Sequence, residues 1–173
     1  MKTIDYLEKQ YSHAFEMLKF GEAKNIALIA FNGAIIVGIS KLITDTNDLY
    51  LNYYLIYIIL MASIAIFVSF SALVAKIKHS PNNLSLHRSN NLLFYATLAH
   101  MTDEELIKKI TESYECERSN ENHEKDLANQ VIITSQIAAR KFRLYNIAIT
   151  IMFMGLLTPF SYIIYKLFLD QDR

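Results

Sequence analysis

Polar and apolar positions segregate sharply along this chain. Three stretches are almost free of charge: Asn25 to Ile43, interrupted only by Lys41; Leu49 to Ala75; and Leu144 to Leu169, interrupted only by Lys166. Each is about as long as the ~20 residues a helix needs to cross a hydrocarbon core. Helices of a soluble core would each need a polar face at helical spacing. The run "YYLIYIILMASIAIFVSFSALVA" has no such face. The pattern predicts an all-α integral membrane protein with three transmembrane helices, over 25–43, 49–75 and 144–169.

The polar segments predict helices of a different kind. In residues 1–24, Leu7, Tyr11, Phe15 and Leu18 recur at spacings of four, four and three, as on an amphipathic helix. Gly21 is the one breaker before the first span, so this helix either runs on into the span or hinges there. Residues 76–143 form a helical insert. Its "TDEE" (102–105) is a capping box: Thr102 caps the N–H of Glu105, whose carboxylate reaches back. A second helix starts near Glu121, with Leu127, Val131, Ile132, Ser135 and Ala138 as its apolar or small face. No Pro or Gly separates it from the third span, which predicts one helix of roughly 45 residues, ~70 Å long. Pro81 falls in the loop leaving the second span, and Pro159 inside the third span is expected to kink it.

Charge then sets an orientation. The loop "TDTND" (44–48) carries two Asp and no Lys or Arg. Lys2, Lys9, Lys19 and Lys24 lie in the arm, and basic residues flank the insert at 76–78 and 140–143. By the positive-inside rule the arm and insert are cytoplasmic, and the loop and the tail 170–173 are external. The formal net charge is zero, so bulk charge points to no partner, while 53% hydrophobic residues exceed the ~45–50% usual for soluble domains. The first 24 residues are too polar for the apolar core of a signal peptide. Cys116 is the only cysteine, so no intrachain disulfide can form.

Signatures of catalysis are missing. There is no Gly-rich phosphate loop, HExxH, CxxC or GxSxG. His13, His79, His87, His100 and His123 do not pair at a metal-ligand spacing, so neither metal nor cofactor is expected. The cations Lys76, Lys78, Arg88, Arg140, Lys141 and Arg143 gather beside the expected spans. Such a belt either contacts anionic lipid headgroups or forms an anion site. "HSPNN" and "HRSNN" could add hydrogen bonds there, and Phe94 and Tyr95 could stack on bases. The candidate ligand-binding residues are Lys76, Lys78, Arg88, Arg140 and Lys141. Inside the spans, Ala30, Ala34 and Gly38 form a small-residue ridge beside Asn32, and Asn146 opens the third span. Asn32, Gly38 and Asn146 either pack helices together or face a water-filled path. Three helices cannot enclose a pore, so a path needs a homo-oligomer.

Three motifs carry a resemblance. "EAKNIALIAFNGAIIVG" resembles the "DxKAxxLLxFNG" start of the first span in the Pycsar-type membrane effector family of bacterial antiphage defence. "NNLLFYATLAHMTDEELIKKI" is similar to that family's Asn-rich lead into "LxFGxIAxxSxEEYLxxL", and "DLANQVIITSQIAARKFRLYNIAI" to "DLxxQIxxLSxIxxxKYxxLRxAI" before the last span. Glu22 stands where the family often has Asp, and Tyr95-Ala96 replaces Phe-Gly. The resemblance implies a nucleotide-gated inner-membrane effector, with the insert as sensor, that disrupts the membrane to arrest an infected cell. Its messenger comes from a neighbouring nucleotidyltransferase or cyclase: a cyclic mononucleotide, or a short single-stranded oligonucleotide as in the Hailong-like channel effectors similar in plan. The alternative is a non-conducting anchor or scaffold whose basic belt binds anionic lipid.

The expected topology is testable by labelling intact cells with a membrane-impermeant thiol reagent. A cysteine placed near Thr46 should react and Cys116 should not; labelling of Cys116 would contradict the orientation.

Overall fold

A computed structural model describes residues 2–45, 49–74, 91–118 and 120–171; the side chains of Tyr50 and of residues 159–171 lie outside that description. The helices are α1 (Thr3–Asp45), α2 (Leu49–Leu73), α3 (Tyr95–Leu98), α4 (Asp103–Tyr114) and α5 (Glu121–Gln171). Among the described residues the only β-type pairing is an isolated bridge between Lys2 and Glu117. The chain divides into two compact units, Met1–Glu22 with Ala75–Phe142, and Ala23–Val74 with Arg143–Arg173. Of the two courses open to the arm at Gly21, the helix runs on.

In the first unit α1 and α5 lie parallel. At one end the backbone N–H and the Oγ1 of Thr3 both donate to the Glu117 carbonyl, at 3.1 and 3.2 Å. Near the other end a Cβ on Gly21 would meet the Cβ of Lys141 at 3.4 Å. Along α1, Thr3, Leu7, Gln10, Ala14 and Gly21 are buried, with Tyr6 beside them; on α5 the buried positions include Glu124, Ala128, Val131, Ser135, Ala138 and Lys141. Steps of four and three give the 3.5-residue period of a coiled-coil seam.

This corrects the apolar face expected for the arm. Leu7 is buried, but Tyr11 and Phe15 are exposed. The two aromatic rings stack 6.2 Å apart on the outside, with the Lys19 ammonium 4.6 Å above Phe15. The reason is steric: close approach of two backbones selects small side chains such as Ala14, Gly21, Ala128 and Ser135, and the rings of Tyr11 and Phe15 are turned outward, while the buried ring of Tyr6 packs 4.6 Å from Tyr114 of α4.

The rest of the first unit closes over this seam. Thr102 and Glu105 form the reciprocal capping box that starts α4. Its Leu106, Ile107 and Ile110 join Leu7 and Val131 in one apolar cluster. The helix stops at Glu115, which takes a left-handed conformation at φ 48°. For a residue with a Cβ this costs roughly 1–2 kcal/mol, and it turns the chain so that Cys116 is buried beneath α4. Because Cys116 is buried, its failure to react with a thiol reagent says little, and the position near Thr46 carries the topology test.

The second unit packs α1, α2 and α5 around Leu28, Ala65, Ala148 and Met152. A Cβ on Gly155 would lie 2.7 Å from the Cβ of Met61, so glycine is what lets α5 approach α2. Helices α1 and α2 are long and apolar enough to cross a membrane, and only 11% and 33% of their most apolar windows are buried. A soluble core helix would hide most of that surface, and apolar patches on soluble monomers rarely exceed a few hundred Å². The third expected span lies within α5, which is helical through the position of Pro159.

The glycines separate two kinds of contact. Gly38 has nothing within 4 Å of an added Cβ. We expect Gly155→Ala to lower the thermal midpoint of the detergent-solubilised protein, because Met61 must shift at its Cβ, and Gly38→Ala to leave the midpoint unchanged. Equal midpoints for the two variants would contradict the close approach at Gly155.

Candidate functional site

The membrane-adjacent cations do not behave as one set. Lys76, Lys78 and Arg88, with "HSPNN" and "HRSNN", lie outside the described residues. Arg140 is partly exposed. Lys141 is 5% exposed, and its Nζ donates to Glu22 Oε1 at 2.9 Å. A buried ammonium needs a carboxylate partner, and α1 provides it one turn before Asn25. Lys141 is therefore occupied as a structural cation between α1 and α5. Linear spacing carries no direct signal for this pair, which joins residues 119 positions apart, although both positions fall inside the quoted motifs.

The expected pore or interhelical residues also part company. Asn32 is fully buried within the second unit. Its Nδ2 donates to the Leu28 carbonyl one turn back at 2.8 Å, and its Oδ1 has no hydrogen-bond partner among the described residues. It is buried within one chain, and its hydrogen bond runs to its own helix. Gly38 and Asn146 are exposed, as are Ala30 and Ala34 of the same ridge. Thr150, exposed one turn beyond Asn146, donates its hydroxyl to the Asn146 carbonyl at 2.8 Å. Lys24 sits at the start of the apolar run with its ammonium 5.3 Å above the Tyr145 ring.

Other polar groups buried in the first unit went unrecognised in the sequence. Gln10 Nε2 donates to the Tyr6 hydroxyl at 3.1 Å. Burial pushes the Tyr6 phenol up to about 12; a hydrogen bond with Tyr114 adds to this and the one from Gln10 opposes it. Glu124, buried in α5, takes a hydrogen bond from Arg118 Nε at 3.2 Å. The legible signal would have been the alternation of three and four residues along α1, which includes Thr3 and Gln10 with Leu7 and Ala14.

A cavity of about 380 Å³ opens between α4 and the start of α5, lined by Glu104, Ile107, Lys108, Thr111, Glu112, Arg118, Glu121 and Lys125. Its cations already face carboxylates: Lys108 with Glu112 at 3.8 Å, Lys125 with Glu121 at 3.5 Å, and Arg118 with Glu121 at 3.9 Å. Three acids against three bases offer a phosphate no net attraction. No group of three or more His, Cys, Asp or Glu suited to a metal occurs among the described residues.

The model of the Pycsar effector protein domain matches residues 6–167. The chain belongs to the Pycsar effector family. The match takes in α4 and nearly all of α1 and α5, with the Glu22–Lys141 pair and the buried Asn32. No curated protein and no solved structure matches the chain. Family membership makes it a membrane-associated effector of bacterial antiphage defence, from a family of effectors rather than catalysts. That role implies a cyclic nucleotide signal from a partner cyclase.

The buried pair yields a stability prediction. Glu22→Gln leaves the Lys141 ammonium without its counter-charge. The expected loss is about 1–3 kcal/mol, below the ~3–5 kcal/mol of a fully buried pair because Glu22 remains half exposed. Adding Lys141→Met to that variant should recover most of the loss. Chemical unfolding of the solubilised protein measures both, and an unchanged Glu22→Gln would contradict a structural role for the pair.

Proposed function

We propose that the protein is a nucleotide-gated channel of the bacterial inner membrane, built from several copies of this chain, with the N-terminus and the insert cytoplasmic. The apolar part of α5 forms a third span beside α1 and α2. The insert senses the cyclic nucleotide, and the opened pore dissipates the membrane potential and arrests the infected cell.

The observation that carries this reading is the mixed character of the exposed face of the second unit. Alongside bulky apolar side chains it leaves Ala30, Ala34 and Gly38 of α1, and Asn146 and Thr150 of α5, uncovered. Small residues let a neighbouring membrane helix approach closely. A lipid-facing Asn is costly unless it finds a partner or water. A ring of copies meets both conditions, with α1 at the subunit contact and Asn146 and Thr150 towards the lumen. Asn32, being buried within one chain, serves packing. For the messenger we retain Arg140, Lys76, Lys78 and Arg88 as candidate phosphate contacts, and assign Lys141 to positioning. The rival is a non-conducting anchor; the basic belt favours it as much, through anionic lipid.

Native mass measurement with equilibrium binding of a cyclic pyrimidine mononucleotide separates the two. We expect an assembly at a multiple of the 20.0 kDa chain, reduced in size by Gly38→Leu. Arg140→Glu should weaken binding roughly tenfold or more, the value of one lost charge-assisted contact. A single chain that takes up no nucleotide, with or without the substitutions, would favour the anchor.

A further inference from the structure

Four aromatic rings form a continuous string at one edge of the first unit. Phe20 of α1 lies 6.1 Å from Phe142 of α5, Phe142 lies 5.3 Å from Tyr95 of α3, and Tyr95 lies 5.0 Å from Phe94. This is no core. Phe20 is 52% exposed, Phe94 46%, and the neighbouring Leu93 56%. The segment is held in place from behind: Leu92 and Leu98 are buried in the apolar cluster, and Gln136 Nε2 donates to the Ala99 carbonyl at 3.1 Å. The Leu93 N–H donates to Asn91 Oδ1 at 2.9 Å, which fixes the turn that presents Leu93 and Phe94 outward. Leu93 and Phe94 are about half exposed, so each leaves part of the roughly 1.5–3 kcal/mol of full burial for a covering apolar surface to supply.

We infer that this edge is a membrane-interface anchor, with Leu93, Phe94 and Phe20 seated at the boundary between headgroups and acyl chains. The inference rests on the membrane-spanning reading of α1 and α5. Chain connectivity selects the lipid over other occupants. Phe20 precedes the apolar run at Asn25 by five residues of continuous helix, about 7–8 Å. Phe142 precedes Leu144 by two residues, at most about 7 Å even if extended. The headgroup layer is roughly 5–8 Å deep on each side, so both rings are tethered at its depth. Their neighbours Lys19 and Arg140 are cations, the combination that marks the cytoplasmic interface. The anchor would hold the segment that follows residues 75–90 against the bilayer surface, where a change in the insert can be felt by the spans.

The chain contains no Trp, so single Trp substitutions report their own surroundings. The full-length variants Leu93→Trp, Phe94→Trp, Phe31→Trp and Tyr11→Trp are reconstituted into phosphatidylcholine vesicles with and without brominated acyl chains. Phe31 lies within the apolar run and Tyr11 more than three turns before it. We expect Leu93→Trp and Phe94→Trp to emit at shorter wavelength and to lose intensity in brominated vesicles by a fraction comparable to Phe31→Trp, while Tyr11→Trp is unaffected. If Phe31→Trp is not quenched, the spanning reading fails and the anchor fails with it. If Phe31→Trp is quenched but neither Leu93→Trp nor Phe94→Trp is, the anchor alone is overturned. Water-like emission would then show a solvated edge, and blue-shifted emission a protein partner or second copy.

Discussion

Close parallel contact between α1 and α5 is the constraint on which the other features depend. It exists in the first unit, where Gly21 faces Lys141, and again in the second, where Leu28 shares a cluster with Ala148 and Met152. Two helices can approach this closely only if their facing positions are small or can find polar partners. That requirement selects Ala14 and Gly21 on one side, and Ala128, Ser135 and Ala138 on the other. It also traps polar groups: Gln10 and Lys141 are buried in the first unit, where Lys141 meets Glu22 of α1. Polar residues at such positions trade stability for a fixed register. Slipping α1 by one turn would separate Glu22 from Lys141.

The seam also decides what is left for function. Two residues that look functional in a linear reading, Asn32 in an apolar run and Lys141 at the edge of one, are buried, and Lys141 donates to Glu22. What stays available is the outer surface, where Asn146, Thr150 and the ridge of Ala30, Ala34 and Gly38 are exposed.

Much of the architecture was legible because it rests on local signals. A charge-free run of twenty residues has few readings, "TDEE" encodes its own helix start, and the absence of Pro and Gly between Glu121 and Leu144 predicts one unbroken helix. The face that α1 buries was not legible. Thr3, Gln10 and Gly21 resemble a solvated surface when apolar residues are counted, whereas Tyr11 and Phe15 resemble a core. Only the partner helix reverses that judgement, since it has no room for a ring. The Glu22–Lys141 pair was hidden for a related reason: single-chain spacing carries no information about contacts between helices over a hundred residues apart. The motif resemblance reached both residues without revealing that they touch.

Gating of ion flow by a cyclic nucleotide is the central claim, and recording from planar bilayers that contain the purified protein tests it most directly. The account predicts discrete current steps whose open probability changes with added cyclic pyrimidine mononucleotide, with a unitary conductance altered by Asn146→Leu and unaltered by Asn32→Leu. Bilayers that hold correctly inserted protein yet stay silent at every nucleotide concentration would contradict it.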